Sequence, residues 1–182
     1  DVLNYTWEQN DPESSSQANT ATPTAFKTSG PVFRSIEGST KSFRFFPNKN
    51  TILAGQTSNT WEVLPAVSRV LNFALTVRDN VAGGAQTATD EMKVTVSNLS
   101  GPFIITSQNT TVSYPAGSNQ TITWEVASTD QAPVNARFVD IYLSTDNGSS
   151  FPILLASKVP NDGSEIVTIP NSIGNNNRIM VR

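Results

Sequence analysis

The chain has 182 residues, a net charge of −3, only 15% charged residues, and neither cysteine nor histidine. Without those two residue types there is no disulfide, no thiol nucleophile, no Ser-His-Asp arrangement and no zinc site of the H-E-x-x-H kind. A pI near 4.9 leaves no basic field for a phosphate backbone, which argues against nucleic acid as a partner, and no apolar run approaches the roughly 20 residues that span a bilayer.

The first strand signal is "LNYTWEQ", in which Trp7 alternates with outward Thr6 and Glu8. A stretch rich in Ser, Thr, Pro and Asn follows over 10–31 and reads as a long surface loop. Next come "SFRFFP", short and aromatic, the alternating "VLNFALTVRD", and "DEMKVTVS", which closes a first block. "NLSGPF" punctuates near Ser100; Leu99 and Phe103 there are expected to make a small apolar contact between modules. The second block reads "FIITS", "TVSYPAG", "QTITWEVAS", "FVDIYLSTD", "PILLASKV", "EIVTIP" and "RIMVR", about seven short strands separated by turn signals, which is the sandwich pattern.

The expected fold is therefore all-β: two tandem immunoglobulin-like or fibronectin-like β-sandwich modules, 1–100 (cadherin-like or Ig-like, cut at its N-terminal side) and 101–182 (fibronectin-like or Ig-like, cut at its C-terminal side). All three tryptophans, Trp7, Trp61 and Trp124, lie in the tripeptide Thr-Trp-Glu. Trp7 and Trp124 are expected to fill the space between sheets in their respective modules, whereas Trp61, four residues before Pro65, reads as a loop or strand-edge residue.

Few motifs point to chemistry. "STDNGSSF" (144–151) fits the Asp-box pattern S-x-D-x-G-x-x-F, a hairpin device in which Asp146 bonds turn amides and Asn147 and Gly148 take positive φ. "VPNDGSE" is a second turn of the same chemistry, built on Asn161, Asp162 and Gly163. A calcium ion, if one binds, would draw on Asp1, Glu8, Asp79, Asn80 and Asp90 at strand ends, although "RDN" followed by "AGG" also reads as a plain turn and no D-x-D-x-D-G loop occurs. The aromatic residues available to stack on a ligand are Trp61, Tyr114, Phe45 and Phe46. N-x-S/T sequons begin at Asn4, Asn98, Asn109, Asn119 and Asn147, as expected by chance in a chain of this composition. No pair among the 15 acidic residues is marked for acid/base work, so the chain reads as non-catalytic.

The blocks "NYTWEQNDPE", "GPVFRSIEGSTKSFRFFP", "ILAGQTSNTWEVLPAVSRVLNFALTVRDNVAGGAQTATDEMKVTV", "GPFIITSQNT", "PVNARFVDIYLSTDNGSSFPILLASKVPNDGSEIVTIPN" and "NRIMVR" cover nearly the whole chain. In this order they resemble the region downstream of the catalytic domain in secreted bacterial reprolysin-like zinc metallopeptidases. The resemblance implies an extracellular or cell-surface accessory or spacer region that aids substrate docking. Its partners would be the parent's catalytic and sorting domains and a protein or polysaccharide substrate, with no membrane insertion. Zinc is implied only for the parent's catalytic domain, because no histidine here can receive that motif. The alternative is a carbohydrate- or protein-binding adhesion module of an exported protein.

Overall fold

In a computed structural model, which describes residues 2–13, 22–174 and 176–182, the chain is nearly all-β, consistent with the β-sandwich class. It divides into two compact units, Asp1–Asn98 and Leu99–Arg182.

The first unit is built on one antiparallel sheet with the order β1-β2-β3: β1 (Asn4–Gln9), β2 (Arg69–Arg78) and β3 (Thr87–Val96). Strand alternation decides its faces. Trp7 pairs with Leu75 and Gln9 with Phe73, so the face carrying Leu71, Phe73 and Trp7 looks inward, while Thr6, Glu8, Asn72 and Thr76 take the other face. Chain with little regular structure covers the inward face. Val32 and Phe33 from that chain join Leu71 and Phe73 in the core, with Trp7, Phe46 and Val96 packed against them.

The expected strand "SFRFFP" does not form. Phe46 instead turns its ring into the core, 5.2 Å from Phe33 in an edge-to-face pair and 4.7 Å from Phe73. The Arg44 guanidinium lies 4.3 Å above the same ring and donates to the carbonyl of Trp7 at 2.7 Å. Side chains thus anchor this segment where a ladder was expected. A single-turn helix, α1 (Lys49–Leu53), follows, with the Asn48 side chain accepting from the Thr51 amide at 3.2 Å as its N-cap.

The described parts of the 10–31 stretch form no helix or strand and are mostly exposed, as expected of a surface loop, but two contacts anchor them. Lys27 is buried and bonds Glu13 at 2.5 Å, and Gly30 N donates to the carbonyl of Pro12 at 3.1 Å.

The second unit contains two three-stranded antiparallel sheets. One has the order β4-β5-β8, formed by β4 (Ile104–Ile105), β5 (Asn119–Glu125) and β8 (Ser164–Thr168); the other has the order β7-β6-β9, formed by β7 (Ile153–Pro160), β6 (Phe138–Ser144) and β9 (Arg178–Val181). Both sheets contribute to one core. Ile122, Trp124 and Val167 come from the first, and Val139, Ile141 and Val181 from the second. Phe103 packs against this core. The expected strand "TVSYPAG" is irregular: Gly117 takes φ +79°, and Ser118 closes a turn onto the carbonyl of Pro115, with its hydroxyl at 2.7 Å.

The two strand-borne tryptophans differ. Trp124 is 4% exposed and its indole N–H donates to Asn161 Oδ1 at 2.8 Å. Trp7 is only half-buried, with its N–H donating to the carbonyl of Ser42 at 3.0 Å. Trp61 lies outside the strands and is 44% exposed.

Candidate functional site

The β2–β3 hairpin turn gathers several polar atoms beside an open cleft. Asp79 N donates to the carbonyl of Gln86 at 3.3 Å, and Asp79 Oδ1 accepts from the amides of Val81 at 3.2 Å and Gln86 at 2.9 Å. Asn80 adopts φ +52°, a conformation that Asn tolerates better than most residues. Beside this turn lies an open cleft of about 490 Å³, bordered by Asn4, Thr40, Asp79, Asn80 and Val81.

Of the residues considered for calcium, Asp79 and Asn80 are the ones among the described residues that border this cleft. Glu8 sits opposite Ala74 and Asp90 opposite Leu75, three to four rungs from the Arg78 end of the sheet and therefore about 10–13 Å away along the strands. Glu8 and Asp90 also point to opposite faces, because the rungs at Ala74 and Leu75 are adjacent. Asp1 lies outside the described residues. Among the described residues no three His, Cys, Asp or Glu side chains come together as a metal-binding group.

The aromatic candidates have different settings. The Phe46 ring packs against Phe33 and Phe73 and carries the Arg44 guanidinium over it. Half-buried Phe45 meets exposed Phe43 edge to face, at 5.6 Å and an interplanar angle of 82°, so these two rings do not form a flat platform. Trp61 belongs to the first unit and Tyr114, whose hydroxyl accepts from Gln108 Nε2 at 3.3 Å, to the second.

Three polar constellations are built by the fold; of their residues the sequence reading singles out only Asn161, as a turn residue. The first centres on Glu62, only 2% exposed. Its Oε1 accepts from Arg44 Nη2 at 2.6 Å, and its Oε2 from the backbone and side-chain amides of Asn48, both at 2.9 Å. Burial by itself would raise the Glu62 carboxyl; the bonds from Asn48, Arg44 and Asn59 outweigh it and hold the group below its ordinary value. The second constellation links Asp11, Gln9, Asn72 and Arg69. Asp11 accepts from the Asn72 side chain at 2.5 Å and lies 3.6 Å from Arg69 Nη2, while Gln9 Oε1 accepts from the amides of Val32 at 2.8 Å and Phe33 at 3.0 Å. The third is Asn161, a buried residue of the β7–β8 turn. It holds Trp124 with its oxygen, and donates to the carbonyl of Ala136 at 2.8 Å and to Thr129 Oγ1 at 3.0 Å.

No short motif marks the first two sets. Arg44 and Glu62 are 18 residues apart, and Asn72 and Asp11 are 61 apart, so only the fold brings them together.

The Asp-box turn does what its spacing suggests. Asp146 accepts from Ser144 Oγ at 2.7 Å, from Ser150 N at 2.9 Å and from Ser150 Oγ at 2.7 Å, which holds its carboxyl far below the ordinary value. Asn147 and Gly148 take φ of +58° and +76°, and Phe151 is half-buried. Asp140 is likewise lowered, first by the Lys158 amide at 2.8 Å and then by Ser157 Oγ at 3.0 Å. A second, smaller recess of about 300 Å³ beside Asn161 is bordered by Asp130, Arg137 and Asp162.

Compared with family models, curated proteins and solved structures, the chain matches none.

Proposed function

We propose that this chain is a non-catalytic accessory or spacer region of a secreted bacterial zinc metallopeptidase. In this reading the units are immunoglobulin-like or fibronectin-like sandwich modules that stand between the parent's other domains, outside the cell, and help dock a macromolecular substrate. The observation that carries it is how the carboxylates are used. Glu62, Asp11, Asp79, Asp140 and Asp146 each accept hydrogen bonds from groups of their own unit and thereby fasten a loop or a turn. Carboxylates so engaged are suited to holding shape, since a general acid or base must have its proton-transferring oxygen directed at substrate. The order of sequence blocks described above supports the choice of parent.

The reading is tested in two steps. The purified chain, with or without zinc, is expected to leave casein and gelatin intact, and the reading frame upstream of the Asp1 codon is expected to encode H-E-x-x-H. Removing these residues from the parent should spare cleavage of a short peptide while slowing cleavage of a large protein substrate. Hydrolysis by the purified chain that a point mutation within it abolishes would overturn the proposal. A second reading, an adhesion module for carbohydrate or protein, draws on the exposed Trp61 and Tyr114. Saturable binding to a glycan or matrix protein, lost in Trp61→Ala or Tyr114→Ala, would favour it.

A further inference from the structure

β3 ends the first unit's sheet, and among the described residues it has a ladder partner on one side only. It is ten residues long, and nearly all of its side chains are exposed. Its hydrogen-bonding direction follows from the turn. Asp79 and Gln86 form a bonded rung, and in an antiparallel pair bonded rungs recur at every second residue. Ala88, Asp90, Met92, Val94 and Val96 therefore bond to β2, which leaves the N–H and C=O groups of Thr87, Thr89, Glu91, Lys93 and Thr95 directed outward. The Glu91 amide agrees: it donates to the side chain of neighbouring Asp90 at 2.9 Å instead of to the ladder.

The inward face of β3 is also uncovered. Met92 and Val94 lie opposite the core residues Phe73 and Leu71, yet are 44% and 37% exposed. A long free edge with an apolar row is normally blunted by charge. Here the charges are arranged so that a second β3 fits.

We propose that β3 pairs antiparallel with β3 of a second copy of this chain, around a two-fold axis at Met92, to form a six-stranded sheet across two molecules. In that register Glu91 lies opposite Lys93 of the second copy, and Lys93 opposite its Glu91. Thr89 faces Thr95, Ala88 faces Val96, and the two Met92 side chains meet. Each of these pairs shares a face, because both members have the same parity along the strand. The outward-directed groups of Glu91 and Lys93 meet as bonded rungs, and the Glu91 amide exchanges Asp90 for a carbonyl of the second copy. The charges also fix the register. Sliding the strands by two residues puts Glu91 opposite Glu91 in one direction and Lys93 opposite Lys93 in the other, and like charges directly opposed are unfavourable.

The test is charge exchange on the intact chain, with mass followed by sedimentation over a wide concentration range. The wild type is expected to rise from 19.6 kDa toward twice that mass. Glu91→Lys and Lys93→Glu each place two like-charged pairs across the edge and should weaken association by about tenfold or more. An equimolar mixture of the two variants restores both opposite-charge pairs, so mixed dimers should form where neither variant self-associates. As the chain has no cysteine, Met92→Cys introduces one thiol only, at a non-bonded rung where Cα atoms are about 4.5 Å apart, and should cross-link on oxidation. A wild type that stays monomeric at every concentration, single variants that dimerise like it, or a mixture that fails to associate would each overturn the proposal. Both positions are exposed, so matching circular dichroism of the variants rules out unfolding as the cause.

Discussion

In the first unit a single sheet is covered by chain that is mostly irregular, whereas in the second two sheets share one apolar interior. The difference shows in what is buried. The first unit's buried residues include Gln9, Lys27, Thr51, Glu62 and Arg69 beside a small apolar core, while the second buries Ser144 and Asn161 beside Ile122, Trp124, Val139, Ile141, Leu143, Val167 and Val181. Irregular chain brings backbone groups to the interior without ladder partners, and these must be satisfied from elsewhere. Gln9 serves the amides of Val32 and Phe33, Arg69 the carbonyls of Lys27 at 2.8 Å and Gly30 at 2.7 Å, and Glu62 the amide of Asn48. A covering made of strands supplies most of those bonds itself.

The sharpest way to break this contrast is through the tryptophans. Trp124→Ala should destabilise the second unit by about 4 kcal/mol, because it empties a fully packed site and strips Asn161 of a donor. Trp7→Ala, at a half-buried position, should cost the first unit about 2 kcal/mol. Hydrogen exchange followed on peptides from each unit reads the two effects separately. Equal losses would mean that the two units depend on their tryptophans alike.

Next in size is Glu62→Ala, expected to cost the first unit about 3 kcal/mol, since it leaves the Arg44 guanidinium buried without its carboxylate. Arg44→Met combined with Glu62→Leu should recover part of that loss in urea unfolding, because the uncompensated charge is gone. A double variant no more stable than Glu62→Ala would show that the Asn48 and Asn59 bonds, and not the ion pair, matter most. Asn161→Ala should cost the second unit about 2 kcal/mol, by leaving the Trp124 N–H buried without an acceptor. The same change should blue-shift or quench Trp124 emission, which is measurable once Trp7 and Trp61 have been replaced by Phe.

The strands were legible wherever apolar residues alternate over several positions, as in "VLNFALTVRD" and "FVDIYLSTD", which became β2 and β6. "SFRFFP" misleads because its aromatic residues indicate burial without saying whether a ladder or side-chain anchoring achieves it. Glu62 was hidden for a related reason. In "TWEV" Glu125 stands exposed at the end of β5, whereas Glu62 is buried by the arrival of Arg44, Asn48 and Asn59, which nothing in the tripeptide announces. The same three letters thus occupy three environments, two in strands and one outside them, so a repeated tripeptide by itself fixes neither strand nor burial. Turn chemistry was the most readable level: Asp146 and its hydroxyl partners lie within seven residues, and Gly163 has φ +100° with the carbonyl of Trp124 3.3 Å from where a Cβ would stand.

The smallest effect, and the one that sharpens the comparison most finely, is the response to acid. Glu62 in the first unit and Asp140 and Asp146 in the second all have carboxyls held below their ordinary values in the folded chain. A depressed folded pKa contributes stability that is fully present above the unfolded value, near pH 4, and is lost as pH falls through the folded one. These groups should therefore contribute a flat profile through the neutral range and a decline only in acid, in both units. The causes differ: Glu62 combines a buried cation with amide donors, whereas Asp146 is lowered at the surface by hydroxyl and amide bonds of one turn. Replacing each carboxylate by its amide separates them. Glu62→Gln should lower the urea midpoint of the first unit at neutral pH, and Asp146→Asn that of the second by less, since water competes for the partners of an exposed turn. In each case the gap from the wild type should narrow as pH falls through the acid limb, because the wild-type carboxylate is itself being neutralised. A gap that stays constant from neutral pH down to the acid transition would mean that the lost contacts matter for their shape and not for the charge they carry.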